Sequence, residues 1–389
     1  MAVDATRDMI ISNRRITGLS ADVIAELIAE VGPLWHARHQ AKLASRPRQR
    51  AAGAGAKHRL VFVDRLLATL IHLRHGATHD VLACWSNVDR STITRAIGEV
   101  RPLPAERGCT ISPGVRLRTL AEVVDYLGAR GQVGIIDGTE IRVRRPAAGR
   151  KDRDKFISGT SKQNAVKTVI LTDRNRRVLF CSPARPGSCA DITHARQLGL
   201  VKLLADGPAL EILANAGYQG LGAQTGGRVV TPPHRKFKKN PPDWYEDMHE
   251  RQRKAHSSRR IRVEHGIAHL KNWRALARHL GRREAMSDTA QAIAGLLSHQ
   301  QTACVRRQHA ARCARRPGSR TSSGARTARL QTTFSTSLVG QPRFCSSAAV
   351  LPWPIRCPGP ATLNWTSWLV PACQGCFRQS LAGAPNSST

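Results

Sequence analysis

The stretch VGIIDGTEIRV, residues 133–143, places an acidic side chain in the middle of an otherwise apolar strand. Apolar or small residues lead into Asp137, and alternation of apolar and polar side chains resumes after it. A carboxylate at the centre of a buried strand is costly unless it is paired or bound to a metal ion. Asp137 is therefore the first candidate for a functional residue.

The segments after this strand predict a mixed sheet with helices. They predict, in order, two strands joined by a turn over 165–181, a turn into a helix over 186–198, a short strand over 209–214, and a long polar helix over 242–277. The short strand ends at Asn215. Two antiparallel strands after a central one are typical of the start of a mixed sheet.

The long polar helix carries three charged residues on one face. Arg260, Glu264 and Lys271 fall within roughly 40° of one another at about 100° per residue. Such a face can be a solvated row of ion pairs. That interpretation weakens when Glu264 is combined with Asp137 on a strand and with a second strand end at Asn215.

A helix-turn-helix is predicted upstream. Apolar residues over 59–73 suit a buried helix, Gly76 ends it, and Thr78 can cap a second helix. After a short turn, Ser91 is predicted to cap a third helix. In this layout the last helix enters the major groove, although an ordinary helical bundle gives the same pattern.

Four polar residues of that third helix are candidates for contact with DNA. Short hydroxyls and an arginine near the helix start suit phosphates and base edges. They are Ser91, Thr92, Thr94 and Arg95. A second basic candidate is the segment TPPHRKFKK, residues 231–239, in which four cations surround an aromatic ring. These cations are Arg235, Lys236, Lys238 and Lys239, and a solvated loop is the alternative interpretation.

The composition favours a polyanionic partner. Lysine and arginine number 61 against 27 aspartate and glutamate, which gives a net charge of +34. Such a partner can be nucleic acid or an acidic membrane surface. No apolar run is long enough to span a membrane, so no spanning helix is expected, and no membrane partner is predicted. The ten cysteines are irregularly spaced and predict no disulfide framework, which suits the reducing cytoplasm.

Composition also divides the chain. The last 101 residues contain 11 arginines and no lysine, aspartate or glutamate. Helical patterning holds to about Gln301, and the residues after it are typical either of a disordered tail or of a gene translated out of frame. The chain is predicted to begin with a helical and basic arm over 1–58, followed by a helix-turn-helix domain over 59–114 that ends in a linker over 101–114. An α/β domain over 115–301 and the tail over 302–389 complete it.

Several motifs together resemble a DDE-type bacterial insertion-sequence transposase of the Harbinger-like group. The order and spacing of the motifs carry the resemblance, which covers about residues 59–300. They are LLATLIHLRHG at 66–76 with STITRAI at 91–97, IDGT at 136–139, PGS at 186–188 with Asp191, LANAGY at 213–218, and Arg260, Glu264 and Lys271. The resemblance implies an α/β fold of the RNase H-like kind, a mixed five-stranded sheet flanked by helices, preceded by an all-α helix-turn-helix domain.

The resemblance also implies a metal-dependent reaction. Such enzymes cut and join phosphodiester bonds with two divalent ions, Mg²⁺ or Mn²⁺, held by carboxylates. Asp137 would bridge the two ions and Glu264 would bind one of them. Arg260 and Lys271 would hold phosphate oxygens. All four placements come from the resemblance.

One position departs from the family pattern. The family has its second acid where this chain has Asn215, and an amide lends a metal one oxygen but no charge. Asp191 is a candidate substitute ligand, and its alternative role is a helix cap or an acid behind the ligands. The family often has tyrosine where this chain has Ser257. With the unusual tail, these departures favour a decayed or inactive copy.

The sequence therefore predicts a DNA transposase that binds terminal inverted repeats and target DNA and performs metal-dependent strand cleavage and transfer, impaired at Asn215. The resemblance implies a homo-oligomer in a synaptic complex, and the expected location is the cytoplasm, at the nucleoid. Two alternatives stay open: a DNA-binding protein without catalysis, and an RNase H-like nuclease with another purpose.

Overall fold

The computed structural model of the protein describes residues 2–45, 59–149, 151–237, 241–279 and 283–314. Within these ranges no helix is at once long enough and apolar enough to cross a bilayer.

The N-terminal part of the described chain is helical. Seven helices precede the first described strand: α1 Ala2–Ser12, α2 Arg14–Thr17, α3 Ala21–Ala44, α4 Phe62–His75, α5 His79–Trp85, α6 Arg90–Val100 and α7 Pro102–Arg107. The predicted arm over 1–58 therefore contains three helices, and α3 reaches Ala44 before the described residues stop at Ser45.

The helices α4, α5 and α6 form the predicted helix-turn-helix, with one error. Gly76 ends α4 in the left-handed conformation at φ 67°, and the Thr78 hydroxyl accepts the Val81 N–H at 3.3 Å, as predicted. The prediction that Ser91 caps α6 is wrong, because Asp89 is the N-cap residue and Ser91 lies in the first turn.

The predicted linker over 101–114 is also wrong. Pro102 and Pro104 lie in a helix rather than a loop, since Pro102 occupies the first turn of α7, where the missing N–H costs nothing, and only Pro113 lies in a turn. A strand comes next, and the Thr110 N–H in it donates to the Ser298 hydroxyl at 2.8 Å. This segment is therefore a packed part of the fold.

Nine strands form two sheets in the described chain. They are β1 Cys109–Ser112, β2 Val115–Leu117, β3 Gly134–Val143, β4 Ala165–Thr172, β5 Val178–Cys181, β6 Arg185–Pro186, β7 Ile212–Leu213, β8 Val229–Val230 and β9 Arg278–His279. β1 and β2 form a separate hairpin. The main sheet has the order β5-β4-β3-β7-β8. In addition, β6 pairs with β4, and β9 pairs with β3.

The main sheet is mixed, as the sequence predicts. β3, β4 and β5 pair antiparallel, whereas β7 runs parallel to β3, and β8 runs parallel to β7. The path of five strands agrees with the RNase H-like expectation, and the two short additions raise the described total to seven. The strand predicted over 209–214 is confirmed only at Ile212–Leu213.

Helices cover both faces of this sheet. They are α8 Leu120–Gly128, α9 Asp191–Gln197, α10 Leu200–Asp206, α11 Leu221–Gln224, α12 Asp243–Lys271, α13 Arg274–Ala277 and α14 Met286–Ala314. The long polar helix predicted over 242–277 is present as α12 and α13, which are separated at Asn272 and Trp273. Trp273 is 2% exposed, so burial of its ring accompanies this break.

Two hydrophobic clusters account for most of the core. One unites α3–α6 with α14 and with one face of β3–β5, and the other packs α8–α10 on the opposite face. Val263 of α12 joins Ile135 of β3 and Leu213 of β7 in a third, small cluster. The helix-turn-helix and the sheet therefore share a continuous core.

Helix α14 continues beyond the predicted boundary at residue 301. Thr302 and Ala303 are each 4% exposed, and Arg306 Nη2 donates to Glu26 Oε1 at 3.0 Å. The boundary of the predicted tail thus falls inside a packed helix. Residues 315–389, to which most of the prediction about the tail applies, lie outside the described residues.

Candidate active site

Asp137 lies in the middle of β3 and is almost entirely buried. Its Oδ1 accepts the Gly138 N–H at 2.9 Å and an Asn215 Nδ2–H at 2.6 Å. Its Oδ2 accepts from Arg260 Nη2 at 2.8 Å. Each carboxylate oxygen therefore has a nitrogen donor, which offsets the cost of burying the charge.

Asn215 stands at the corner after β7. It caps the 3₁₀ turn Ala216–Tyr218, and its Oδ1 accepts the Gly217 N–H at 2.8 Å. This contact uses the oxygen of the amide and turns the nitrogen toward Asp137. Tyr218 is fully buried beneath the corner and fixes it to the core.

Helix α12 brings Arg260 and Glu264 to the same place. Arg260 Nη2 lies 2.8 Å from Asp137 Oδ2 and 3.5 Å from Glu264 Oε1, so one guanidinium links two acids that are distant in sequence. Two contacts hold the helix against the strand end. His256 Nε2 is 2.9 Å from the Ala214 oxygen, and an Arg259–Glu211 ion pair measures 2.6 Å.

Lys271 lies farther along the same helix. It is the last residue of α12, seven residues beyond Glu264, which is about 10 Å along the axis at ~1.5 Å per residue. Its side chain is exposed. The structure thus gathers Asp137, Asn215, Arg260 and Glu264, and leaves Lys271 at the end of the helix.

Asp191 approaches the corner from the other face of the sheet. Side chains alternate along a strand, so Gly138 faces away from the Asp137 side, and a Cβ on Gly138 would lie 2.5 Å from Asp191 Oδ1. A Cβ on Gly217 would likewise lie 2.9 Å from Asp191 Oδ2. Asp191 is not the helix cap that one interpretation predicted, because Ala190 is the N-cap and Asp191 is the first residue of α9.

Lys167 holds this second carboxylate, and reasoning from the sequence overlooked it. Its Nζ lies 3.0 Å from Asp191 Oδ1 and 3.7 Å from Glu140 Oε1, and the lysine is 8% exposed. Glu140 also accepts from the Ser158 hydroxyl at 2.6 Å. The available signal was the one that identified Asp137, a charged residue inside an apolar strand, here AVKTVIL.

The electrostatics of the corner are dominated by burial. Burial raises the pKa of the Asp137 carboxyl above its ordinary value, because desolvation disfavours the charged form. The charge and hydrogen bond of Arg260, and the Gly138 N–H, act in the opposite direction. The negative charge of Asp191 adds to the rise.

Comparison with known proteins finds similarities that include this region. Residues 136–298 match the family described as DDE superfamily endonuclease. Residues 58–110 match the helix-turn-helix of DDE superfamily endonuclease. The chain is also similar to the "Putative transposase for insertion sequence element IS112" of Streptomyces albus G. The two are 28% identical over 268 residues, which are 65% of this chain and 90% of that protein.

The DDE match makes divalent ions the expected cofactor, and the donor set can be tested against them. Both oxygens of Asp137 already accept nitrogen donors, the Asn215 oxygen accepts a backbone N–H, and Arg260 brings a positive charge between Asp137 and Glu264. In the described residues no three side chains of His, Cys, Asp or Glu form a group able to hold a metal. The side chains present, in this arrangement, do not fit two divalent ions.

The helix-turn-helix presents the predicted polar residues unevenly. Ser91, Thr94 and Arg95 are exposed on α6, whereas Thr92 is half-buried. The Thr94 hydroxyl bonds with His79 Nδ1 at 2.9 Å, which ties α6 to α5. Arg95 Nε donates to the Ser91 oxygen at 3.3 Å, so its guanidinium rests along the helix in this state.

The described part of the basic segment 231–239 contacts helix α12. Arg235 pairs with Glu246, and the Lys236 N–H donates to the Tyr245 hydroxyl at 2.7 Å. Phe237 packs edge-on against Tyr245 at 4.8 Å and stays 40% exposed. Lys238 and Lys239, the other two predicted DNA-binding cations, lie outside the described residues.

Proposed function

We propose that this chain is a transposase-type DNA-binding protein that recognises the ends of an insertion element and whose strand cleavage and transfer are impaired at Asn215. One observation carries the proposal: Asp137, Asn215, Arg260 and Glu264 meet at one corner of a mixed sheet that shares its core with a helix-turn-helix. The matches to the DDE endonuclease and to its helix-turn-helix support it.

Each residue has a proposed part. Ser91, Thr94 and Arg95 face the DNA from α6, with Thr92 at the edge of that face, and the segment around Arg235 and Lys236 contacts the backbone. Arg260 and Lys271 contact phosphate oxygens, and Arg260 does so only after leaving Asp137. Asp137 and Glu264 are the proposed acids of the corner. Asp191 remains a proposed acid near it, although Lys167 engages it here.

The finer parts of the proposal rest on the sequence. The substrates are terminal inverted repeats and target DNA, the acting form is a homo-oligomer in a synaptic complex, and the protein works in the cytoplasm at the nucleoid. In this proposal the chain is a decayed member of the Harbinger-like group. The reaction of the family depends on Mg²⁺ or Mn²⁺, and the impairment results from a donor set with two carboxylates at the corner instead of three.

A second candidate function is DNA binding without any catalysis. The specific observation in its favour is the closed cluster of Asp137, Asn215 and Arg260, in which the buried carboxylate is already satisfied. Both candidates predict binding to element ends, and only the first predicts cleavage.

The proposal expects short inverted repeats in the DNA that flanks the gene, and these repeats are the substrate of the test. Binding of the full chain to a duplex of one repeat, against a scrambled duplex, is measured in EDTA by fluorescence anisotropy. We expect a preference for the repeat, and equal affinity for both duplexes would contradict the proposal.

Cleavage is then assayed on a plasmid carrying both repeats, with Mg²⁺ or Mn²⁺, for the unmodified chain, Asn215→Asp and Asn215→Asp/Glu264→Gln. We expect Asn215→Asp to cut faster than the unmodified chain, and the double variant to be inactive. An unmodified chain that cuts as fast as Asn215→Asp would refute the impairment. If only Asn215→Asp cuts, the second candidate describes the natural chain.

A further inference from the structure

We propose that the corner around Asp137 is stable without a divalent cation, because Arg260 takes the electrostatic place of a metal ion and Asn215 removes the charge that would require one. The inference rests on the proposed function only in taking aspartate as the alternative residue at position 215. Its physical content concerns this chain alone.

The first step is the saturation of Asp137. An ionised carboxylate offers about four acceptor sites. Three are used here, by the Gly138 N–H at 2.9 Å, by Asn215 Nδ2 at 2.6 Å and by Arg260 Nη2 at 2.8 Å. The side chain of Arg260 is 13% exposed, so this ion pair is largely removed from water. A cation and two neutral donors thus replace what a metal and its waters would supply.

The second step is the orientation of Asn215. Its oxygen accepts the Gly217 N–H at 2.8 Å, so only its nitrogen can face Asp137. An aspartate in the same position would bring a carboxylate oxygen within 2.6 Å of Asp137 Oδ1. Two ionised carboxylates at that separation need a shared proton or a cation between them. Asparagine is therefore the residue that lets the corner close without metal.

The third step is the charge of the surroundings. Arg260 lies within 3.5 Å of Glu264 as well as against Asp137, and the Glu264 side chain is 56% exposed to water. On the other face of the strand, Lys167 offsets Asp191 and Glu140. Each face of the strand thus has one cation shared by two acids, Arg260 on one face and Lys167 on the other, and a divalent ion at Asp137 would have to displace Arg260.

The experiment measures thermal unfolding of the full chain in EDTA and in millimolar MgCl₂ or MnCl₂. We expect the Tm of the unmodified chain to be unchanged by either ion. Asn215→Asp should unfold roughly 5 °C lower in EDTA and regain most of that loss with Mn²⁺. Asn13→Asp is the matched control, because it makes the same charge change at an exposed helix cap where aspartate serves equally well.

A second variant keeps the test decisive if Asn215→Asp does not fold. Arg260→Gln removes the guanidinium and keeps Asn215, and its Tm should fall in EDTA and rise with Mn²⁺. Mn²⁺ titration calorimetry on the folded chains should show binding to the variants that exceeds binding to the unmodified chain and to Asn13→Asp.

An unmodified chain that gains as much stability from Mg²⁺ or Mn²⁺ as Asn215→Asp would overturn the inference. So would an Asn215→Asp chain that is as stable in EDTA as the unmodified one. The test contains no DNA, so its failure leaves the proposed recognition of element ends intact. Failure of DNA recognition would equally leave this result unchanged.

Discussion

At the scale of single residues, charges buried in apolar strands define the site. Asp137 and Lys167 both occupy strand positions where hydrocarbon is expected, and each is retained because an opposite charge lies within 3.0 Å. Removing one member of such a pair leaves the other buried and uncompensated, which costs more than the pair contributes.

Lys167→Met should lower the free energy of unfolding by about 3 kcal/mol, because Asp191 and Glu140 lose their shared cation. Asp191→Asn in the same chain should recover part of the loss, with a coupling of about 1–2 kcal/mol in a double-mutant cycle. Urea unfolding measures both. The control is Lys155→Met, since Lys155 pairs with Asp152 at the surface with its side chain 62% exposed. A loss of stability for Lys167→Met as small as that for Lys155→Met would contradict the role of Lys167 as the cation shared by Asp191 and Glu140.

The sequence was informative where one residue carries its own signal. Asp137 stands out against its apolar neighbours, and Asn215 stands out against the family motif, so both could be found without coordinates. Lys167 carries the same signal, a charged residue among apolar neighbours, but it lies outside the motifs that carry the resemblance. The contact between Arg260 and Asp137 could not be predicted, since it depends on how α12 lies against β3.

At the scale of elements, local signals placed helices better than short strands. Gly76 and Thr78 mark the end of α4 and the start of α5 by their own backbone chemistry. β7 and β8 have two residues each and exist through pairing with neighbours, so no periodicity within them could define them. The error at α7 has a different cause, because proline is favoured both in turns and in the first turn of a helix, and Pro102 occupies the latter.

The helix caps give a direct comparison of prediction and structure. Thr78→Ala should cost about 1 kcal/mol of stability, because the Val81 N–H loses its acceptor. Ser91→Ala should change stability by less than about 0.5 kcal/mol, since Ser91 does not cap α6. Chemical denaturation of the two variants separates them. A loss of stability for Ser91→Ala that exceeds the loss for Thr78→Ala would instead support Ser91 as the cap of α6.

The proposed DNA-contacting surface of α6 gives a second prediction at this scale. The log of the affinity for duplex DNA should fall linearly with log salt, by about 0.9 for each phosphate neutralised. Arg95→Ala should reduce that slope by about 1 if Arg95 contacts a phosphate. Arg38→Ala, which removes an exposed arginine of α3, is the control and should leave the slope unchanged. A slope near zero for the unmodified chain would contradict binding through charge.

At the scale of the whole molecule, ion pairs tie the N-terminal helices to the rest of the fold. Glu30 of α3 accepts from Arg107 of α7 at 2.7 Å and from Arg116 of β2 at 3.0 Å. Burial raises the pKa of Glu30, but the hydrogen bonds and charges of the two arginines outweigh it and hold the pKa at about 2. Glu26 of the same helix contacts His299 of α14 at 2.6 Å.

This lowered pKa predicts a sign for the pH dependence of stability. The folded pKa of Glu30 lies below its ordinary value of 4.5, so its contribution is present above about pH 4.5 and is lost as the pH falls toward 2. Glu30→Gln should be less stable than the unmodified chain at pH 7, and the difference should shrink across that window. Urea unfolding at several pH values measures it. Glu106→Gln, which alters a surface pair, should show a smaller difference, and a difference for Glu30→Gln that grows at low pH would refute the sign.

The single core that joins α3–α6 to β3 and β4 has a mechanical consequence. The helix α6, which is proposed to contact DNA, and the corner at residue 215 are joined by packed side chains rather than by a flexible linker, so the core sets the distance between them. A duplex bound by α6 would therefore place the same phosphodiester bond at that corner each time it binds. In the proposed function, protein dimensions and not the bases at the break fix where a strand is cut.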